Sequence, residues 1–127
     1  MEKTILYEII KHWKHINHIL KKIEIVIDEA LAWGVDITPD KHDFFETFKY
    51  KQKKSIFDVW FFEGQNTLEN LQKIYQKNNI PSEDWLKKWN LILKKFFVEE
   101  NLSISKIALK QYILETQNEM AKFEQMK

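Results

Sequence analysis

The chain contains no cysteine. Disulfide scaffolds, zinc–thiolate sites and thiol catalysis are therefore excluded, and a reducing cytoplasm is the expected compartment. Arginine is absent as well, since all 20 basic residues are lysine. That removes forked guanidinium contacts to phosphate, carboxylate or guanine, and with them any arginine finger. The two glycines, Gly34 and Gly64, stand alone, so no glycine-rich loop can wrap backbone amides around a phosphate. No apolar run approaches the roughly 20 residues needed to span a bilayer. Met1 to Leu6 carries Glu2 and Lys3 where a signal peptide would have an apolar core. The expectation is a soluble, untargeted chain without a membrane partner.

What is present is enough for one core and not for two. The 127 residues are 44% hydrophobic and 31% charged, the proportions of a single globular domain covering 1–127. The net charge of +1 gives the molecule as a whole no field that would attract nucleic acid or an anionic membrane, so such binding would need a local patch.

Apolar spacing predicts helices throughout. From about Thr4 to Trp33, the residues Leu6, Ile9, Trp13, Ile16, Leu20, Ile23, Ile27 and Leu31 recur every three or four positions and define one long amphipathic helix. Gly34 is its expected stop, with Thr38 and Pro39 placed to open the next element. Residues 40–63 are ambiguous: Phe44, Phe45 and Phe48 share a helical face, but the Ile56–Phe62 run is apolar nearly all round and β-rich, so a hairpin competes with a helix. The spacing favours helices over about 40–52 and 55–63, with Ser55 and Asp58 as a capping pair. Gly64 then reads as a break. Asn66 and Glu69 open a short helix bearing Leu68, Leu71, Ile74 and Tyr75, which Asn78-Asn79 ends.

Pro81 and Ser82 open a helix with Trp85, Trp89, Ile92, Leu93 and Phe96 on one stripe. After Asn101, Ser103 or Ser105 caps a last helix with Ile107, Leu109, Ile113, Leu114, Met120 and Phe123 inward. The predicted architecture is all-α, a compact bundle of five or six helices with a long N-terminal helix. At roughly 45 Å that helix exceeds the diameter of so small a domain. It must bend, or carry its end onto a second copy, so a homodimer is a reasonable expectation.

Chemistry-bearing patterns are few. His12, His15 and His18 lie three apart, but on a wheel they fan from the edge of the apolar face toward solvent. His12 and His15 could chelate one exposed metal, with His42 of the Asp40-Lys41-His42-Asp43 cluster as a third candidate ligand. Neither a cofactor nor a bound metal is expected on balance, because three or four converging ligands are required. The serines Ser55, Ser82, Ser103 and Ser105 all stand at predicted helix starts, where capping explains them, and no nucleophile elbow occurs. No catalytic residues are assigned and the chain is not expected to be an enzyme. Lys49, Tyr50, Lys51, Lys53 and Lys54 form the one local basic cluster, a candidate site for phosphates or an acidic partner, with a solvated bend between two apolar runs as the plainer explanation. Eighteen aromatics, Trp60 to Phe62 and Trp85 to Phe97 among them, exceed what one buried face needs and leave some to anchor a partner.

The stretch from Ile74-Tyr75 through Ile80-Pro81 to Trp85 and Trp89 resembles the helical segments of exported malaria-parasite proteins of the RESA-like type, in which a proline is followed by tryptophan-bearing helices. It covers a small part of the chain and implies no residue roles. The functional expectation is a small cytoplasmic protein-binding regulator of the inhibitor, immunity, anti-defence or adaptor type. The alternatives are a nucleic-acid-associated protein using Lys49–Lys54 and a metal-binding protein using His12 and His15.

Overall fold

The computed structural model describes residues 1–32, 44–94 and 102–127, with the side chains of 26, 29–32, 44–58, 93–94 and 102–105 outside the description. Four helices make up the described residues: α1 Lys3–Ala32, α2 Phe44–Lys77, α3 Trp85–Lys94 and α4 Leu102–Glu124. The all-α expectation holds, but where five or six helices were expected there are four. The difference lies mainly in α2, which runs unbroken through the stops inferred before Ser55 and at Gly64.

The reason α2 continues past Gly64 is tertiary. A glycine costs a helix about 1 kcal/mol relative to alanine, yet here it is the residue that lets α3 approach. A Cβ built on Gly64 would run into the Trp89 indole, including Cε2 at 2.9 Å. Trp89 Nε1 also donates to the Phe61 carbonyl oxygen at 3.3 Å. The expected cap at Asn66 falls in mid-helix, where the Thr67 hydroxyl donates back to the Glu63 carbonyl at 2.8 Å in the i−4 pattern.

α1 supplies the centre of the core. Leu6, Ile9, Ile10, Trp13, Ile16, Ile19, Leu20, Ile23 and Ile27 are all buried, an apolar face about half the circumference wide that two neighbours must cover. α4 covers one side, running antiparallel, with Asp28 paired to Lys106 near one end and Lys127 over the Tyr7 ring at the other. α2 covers the other side and α3 folds back along α2.

The α2–α3 turn is specified locally. Asn79 takes a left-handed conformation (φ 55°), and the Ile80 and Asn79 amides donate to the Tyr75 and Gln76 carbonyls at 2.9 and 3.3 Å. These are the paired bonds of a Schellman ending, with Ile80 packed back on the core. The stop read at Asn78-Asn79 is therefore where the helix ends. α3 is capped two residues after Ser82: Asp84 Oδ1 accepts from the Lys87 amide at 3.0 Å, while the Ser82 hydroxyl donates to the Glu83 carbonyl. Ser55 lies inside α2 and is not the cap it was expected to be, while the side chains of Ser103 and Ser105 lie outside the described residues.

The buried stripe of α4 is Leu109, Tyr112, Ile113, Thr116 and Phe123. Ile107 and Leu114, expected inward, are 70% and 52% exposed. α4 rotates so that Tyr112 and Thr116, two residues with hydrogen-bonding ends, face inward. The Tyr112 hydroxyl donates to the Trp85 carbonyl at 2.9 Å. The Thr116 hydroxyl lies 3.1 Å from Asn17 Oδ1 and 2.9 Å from the Ile113 carbonyl. Asn17 is itself fixed by donation to the Trp13 carbonyl at 2.9 Å. No described helix is long and apolar enough to cross a membrane.

Candidate functional site

Three surfaces carry side chains that the core does not account for. The first is on α2. Val59 and Phe62, three residues apart and so on one side of the helix, are 60% and 61% exposed. Phe62 is not loose: its ring meets Phe61 edge-on at 5.5 Å, and Phe61 packs against the core. Phe61 in turn gives its carbonyl to Trp89. An aromatic ring is thus presented to solvent from a helix pinned by its neighbour.

The second surface is a groove of about 320 Å3 between α1 and α2, lined by Lys11, His12, His15, Thr67 and Asn70. His12 Nδ1 donates to the Glu8 carbonyl at 2.7 Å. His15 Nε2 lies 2.9 Å from Glu63 Oε1 in an exposed pair. The two histidines thus line one groove, as their spacing suggested, while His18 is exposed farther round the helix. Among the described residues no group of three or more histidine and carboxylate side chains could hold a metal ion. His42 lies outside the described residues.

The third surface is an open groove of about 520 Å3 beside Trp85, lined by Pro81, Ser82, Glu83, Glu115, Asn118, Glu119 and Lys122. Each of its three carboxylates has a lysine partner. Lys88 Nζ bridges Glu83 at 2.7 Å and Glu115 at 3.2 Å and sits 5.2 Å from the Trp85 ring centre. The Glu83 hydrogen bond and the two carboxylate charges hold the Lys88 ammonium above its ordinary range. Glu119, 11% exposed, accepts from Lys122 and from the Tyr75 hydroxyl, which itself accepts from Trp13 Nε1; the last two bonds are 3.0 Å each. On the inner side of Trp85 is a hollow of about 10 Å3 bordered by Trp13, Leu68, Leu71, Tyr75 and Leu86, room for one water at most. Trp85 Nε1 is buried with no hydrogen-bond partner among the described residues.

The basic cluster Lys49, Tyr50, Lys51, Lys53 and Lys54 lies on helical backbone within α2 and not on a bend between helices. Their side chains are outside the described residues. Sequence reasoning did not single out Phe62 from the other aromatics, because helical spacing ranks faces only when the phase is continuous and α2 carries no single stripe. Val59 and Phe62 share a side, and Phe61 between them turns inward. No protein-family model matches this chain, and no curated protein or solved structure shows significant similarity to it.

Proposed function

We propose that the chain is a small non-enzymatic protein-binding regulator, of the inhibitor, immunity or adaptor kind, acting in the cytoplasm through the outer face of α2. The observation that carries this reading is Phe62, a large ring exposed beside Val59 and held in place by its edge contact with Phe61. Aromatic side chains that need little ordering on contact are the usual energetic centres of protein interfaces. The sequence adds its absences: no thiol, no nucleophile elbow and no phosphate-cradling loop.

The test is recovery of the tagged chain from its native cells, with and without nuclease, beside a Val59→Ser/Phe62→Ser variant. A stoichiometric, nuclease-resistant protein partner is expected for the native chain, with affinity falling at least about tenfold in the variant. Helical content and thermal midpoint should be unchanged in that variant, since both side chains lie outside the core. Equal retention of the partner by the variant would show that another face binds. Loss of every partner on nuclease treatment, or recovery of none, would overturn the reading.

A further inference from the structure

The outward side of α1 has a charge pattern of a different kind from the Val59–Phe62 surface. From Ile9 to Ile23 the chain has no acidic residue, yet this stretch holds Lys11, Lys14, Lys21 and Lys22 together with His12, His15 and His18. Helical register at about 100° per residue brings all four lysines, His15 and His18 within an arc of about 120°. The fold decides that this arc faces solvent. Ile9, Trp13, Ile16, Leu20 and Ile23 are buried on the opposite side, while Lys11, Lys14, His18, Lys21 and Lys22 are exposed and His15 is half-exposed.

The stripe is about 17 Å long, three helical turns from Lys11 to Lys22. Among the described residues none of its four lysines meets a carboxylate; the one ion pair at its edge is His15 with Glu63. Alongside runs the groove lined by Lys11, His12, His15, Thr67 and Asn70, a lining without carboxylates.

We propose that this face of α1 binds the phosphate backbone of nucleic acid, without reading its sequence. A line of unpaired ammonium groups on a rigid helix matches a line of phosphates, for which lysine serves well as a point charge. A protein partner is the poorer fit. Protein interfaces are depleted in lysine and gather apolar and aromatic groups at their centre, whereas here the exposed apolar residues of the arc, Tyr7 and Ile25, stand beyond its two ends and none is exposed between them. Base-specific readout is not expected, because the forked side chain that most often reads guanine is missing from the whole chain.

The experiment is fluorescence anisotropy of the full chain with a labelled mixed-sequence duplex of about 30 base pairs, between about 50 and 200 mM salt. If all four lysines contact phosphate, affinity falls on the order of 100-fold across that range. Changing Lys11, Lys14, Lys21 and Lys22 to Gln should abolish most of the binding and flatten the salt dependence. A control set with the same charge change on other exposed positions, Lys73, Lys77, Lys87 and Lys110 to Gln, should keep it. The proposal is overturned by any of four results: no salt-dependent binding by the native chain, equal loss in both sets, loss confined to a Lys49/Lys51/Lys53/Lys54→Gln set, or a polyglutamate peptide bound in preference to the duplex. The Val59→Ser/Phe62→Ser variant should bind the duplex normally, so this inference and the protein-binding reading fail separately.

Discussion

Trp89 lies across the backbone of α2 at Gly64, and a single methyl group there would meet its indole. This inverts the ordinary effect of replacing a helical glycine. On an open helix Gly→Ala stabilises by about 1 kcal/mol through propensity; here Gly64→Ala should destabilise by about 1–3 kcal/mol, the usual cost of overpacking. Denaturant unfolding of the variant gives the sign directly. In a Trp89→Ala background the same change should turn neutral or stabilising, because the group it collides with is gone. A destabilising Gly64→Ala in that background as well would mean the glycine is needed for its backbone and not for α3. Gly64 is legible in sequence only as an interruption. Nothing local distinguishes a glycine that ends a helix from one that lets another helix come close.

Of the expected element ends, those at Ser55, Gly64 and Asn66 fall inside α2, whereas the one at Asn78-Asn79 holds. Asn78-Asn79 reads as a stop because asparagine tolerates the left-handed conformation that a helix ending of this type requires, and Asn79 adopts it. The start of α3 was expected at Pro81-Ser82, and the structure caps it with Asp84 instead. Its carboxylate satisfies the Lys87 amide, whereas the Ser82 hydroxyl is spent on the Glu83 carbonyl. Asp84→Ala should therefore cost about 1 kcal/mol and Ser82→Ala close to nothing. Thermal unfolding of the two variants side by side checks the assignment, and the opposite order would refute it. On α4 the expected stripe included Ile107 and Leu114 because both are apolar and spaced correctly. The helix instead turns Tyr112 and Thr116 inward, where each finds a hydrogen-bond partner. Periodicity counts apolar residues and has no means of crediting a polar group that another element will satisfy.

The whole molecule is joined by tyrosines. Tyr75 links α1, α2 and α4 through Trp13 and Glu119, and Tyr112 ties α4 to the first residue of α3. Burial pushes both phenols well above their ordinary range, and the nearby Glu119 and Glu115 charges push the same way, while donation from Trp13 acts in the opposite sense on Tyr75. A phenol whose value is raised in the folded state keeps its proton where the unfolded chain has lost it. Its stabilising contribution is complete below the ordinary tyrosine value of about 10 and is lost as pH rises beyond it. The thermal midpoint should accordingly fall steadily above about pH 10. Of the four tyrosines, Tyr75 and Tyr112 should yield phenolate absorbance only as the chain unfolds. A flat midpoint through that range, or phenolate appearing for all four before unfolding, would show that these two rings are not buried as described.

The sequence by itself determined the all-α class, the apolar face that α1 buries and the stop at Asn78-Asn79. These follow from a period that repeats unbroken within one helix and from conformational preferences that act within a few residues. Only the tertiary structure decided that α2 is a single helix, that Gly64 is the seat of Trp89, that Phe61 turns inward while Phe62 remains exposed, and that Tyr112 and Thr116 replace Ile107 and Leu114 in the core. Each of those outcomes is set by a partner more than 20 residues away or on another helix, and the free energy of such contacts outweighs local propensities of about 1 kcal/mol or less.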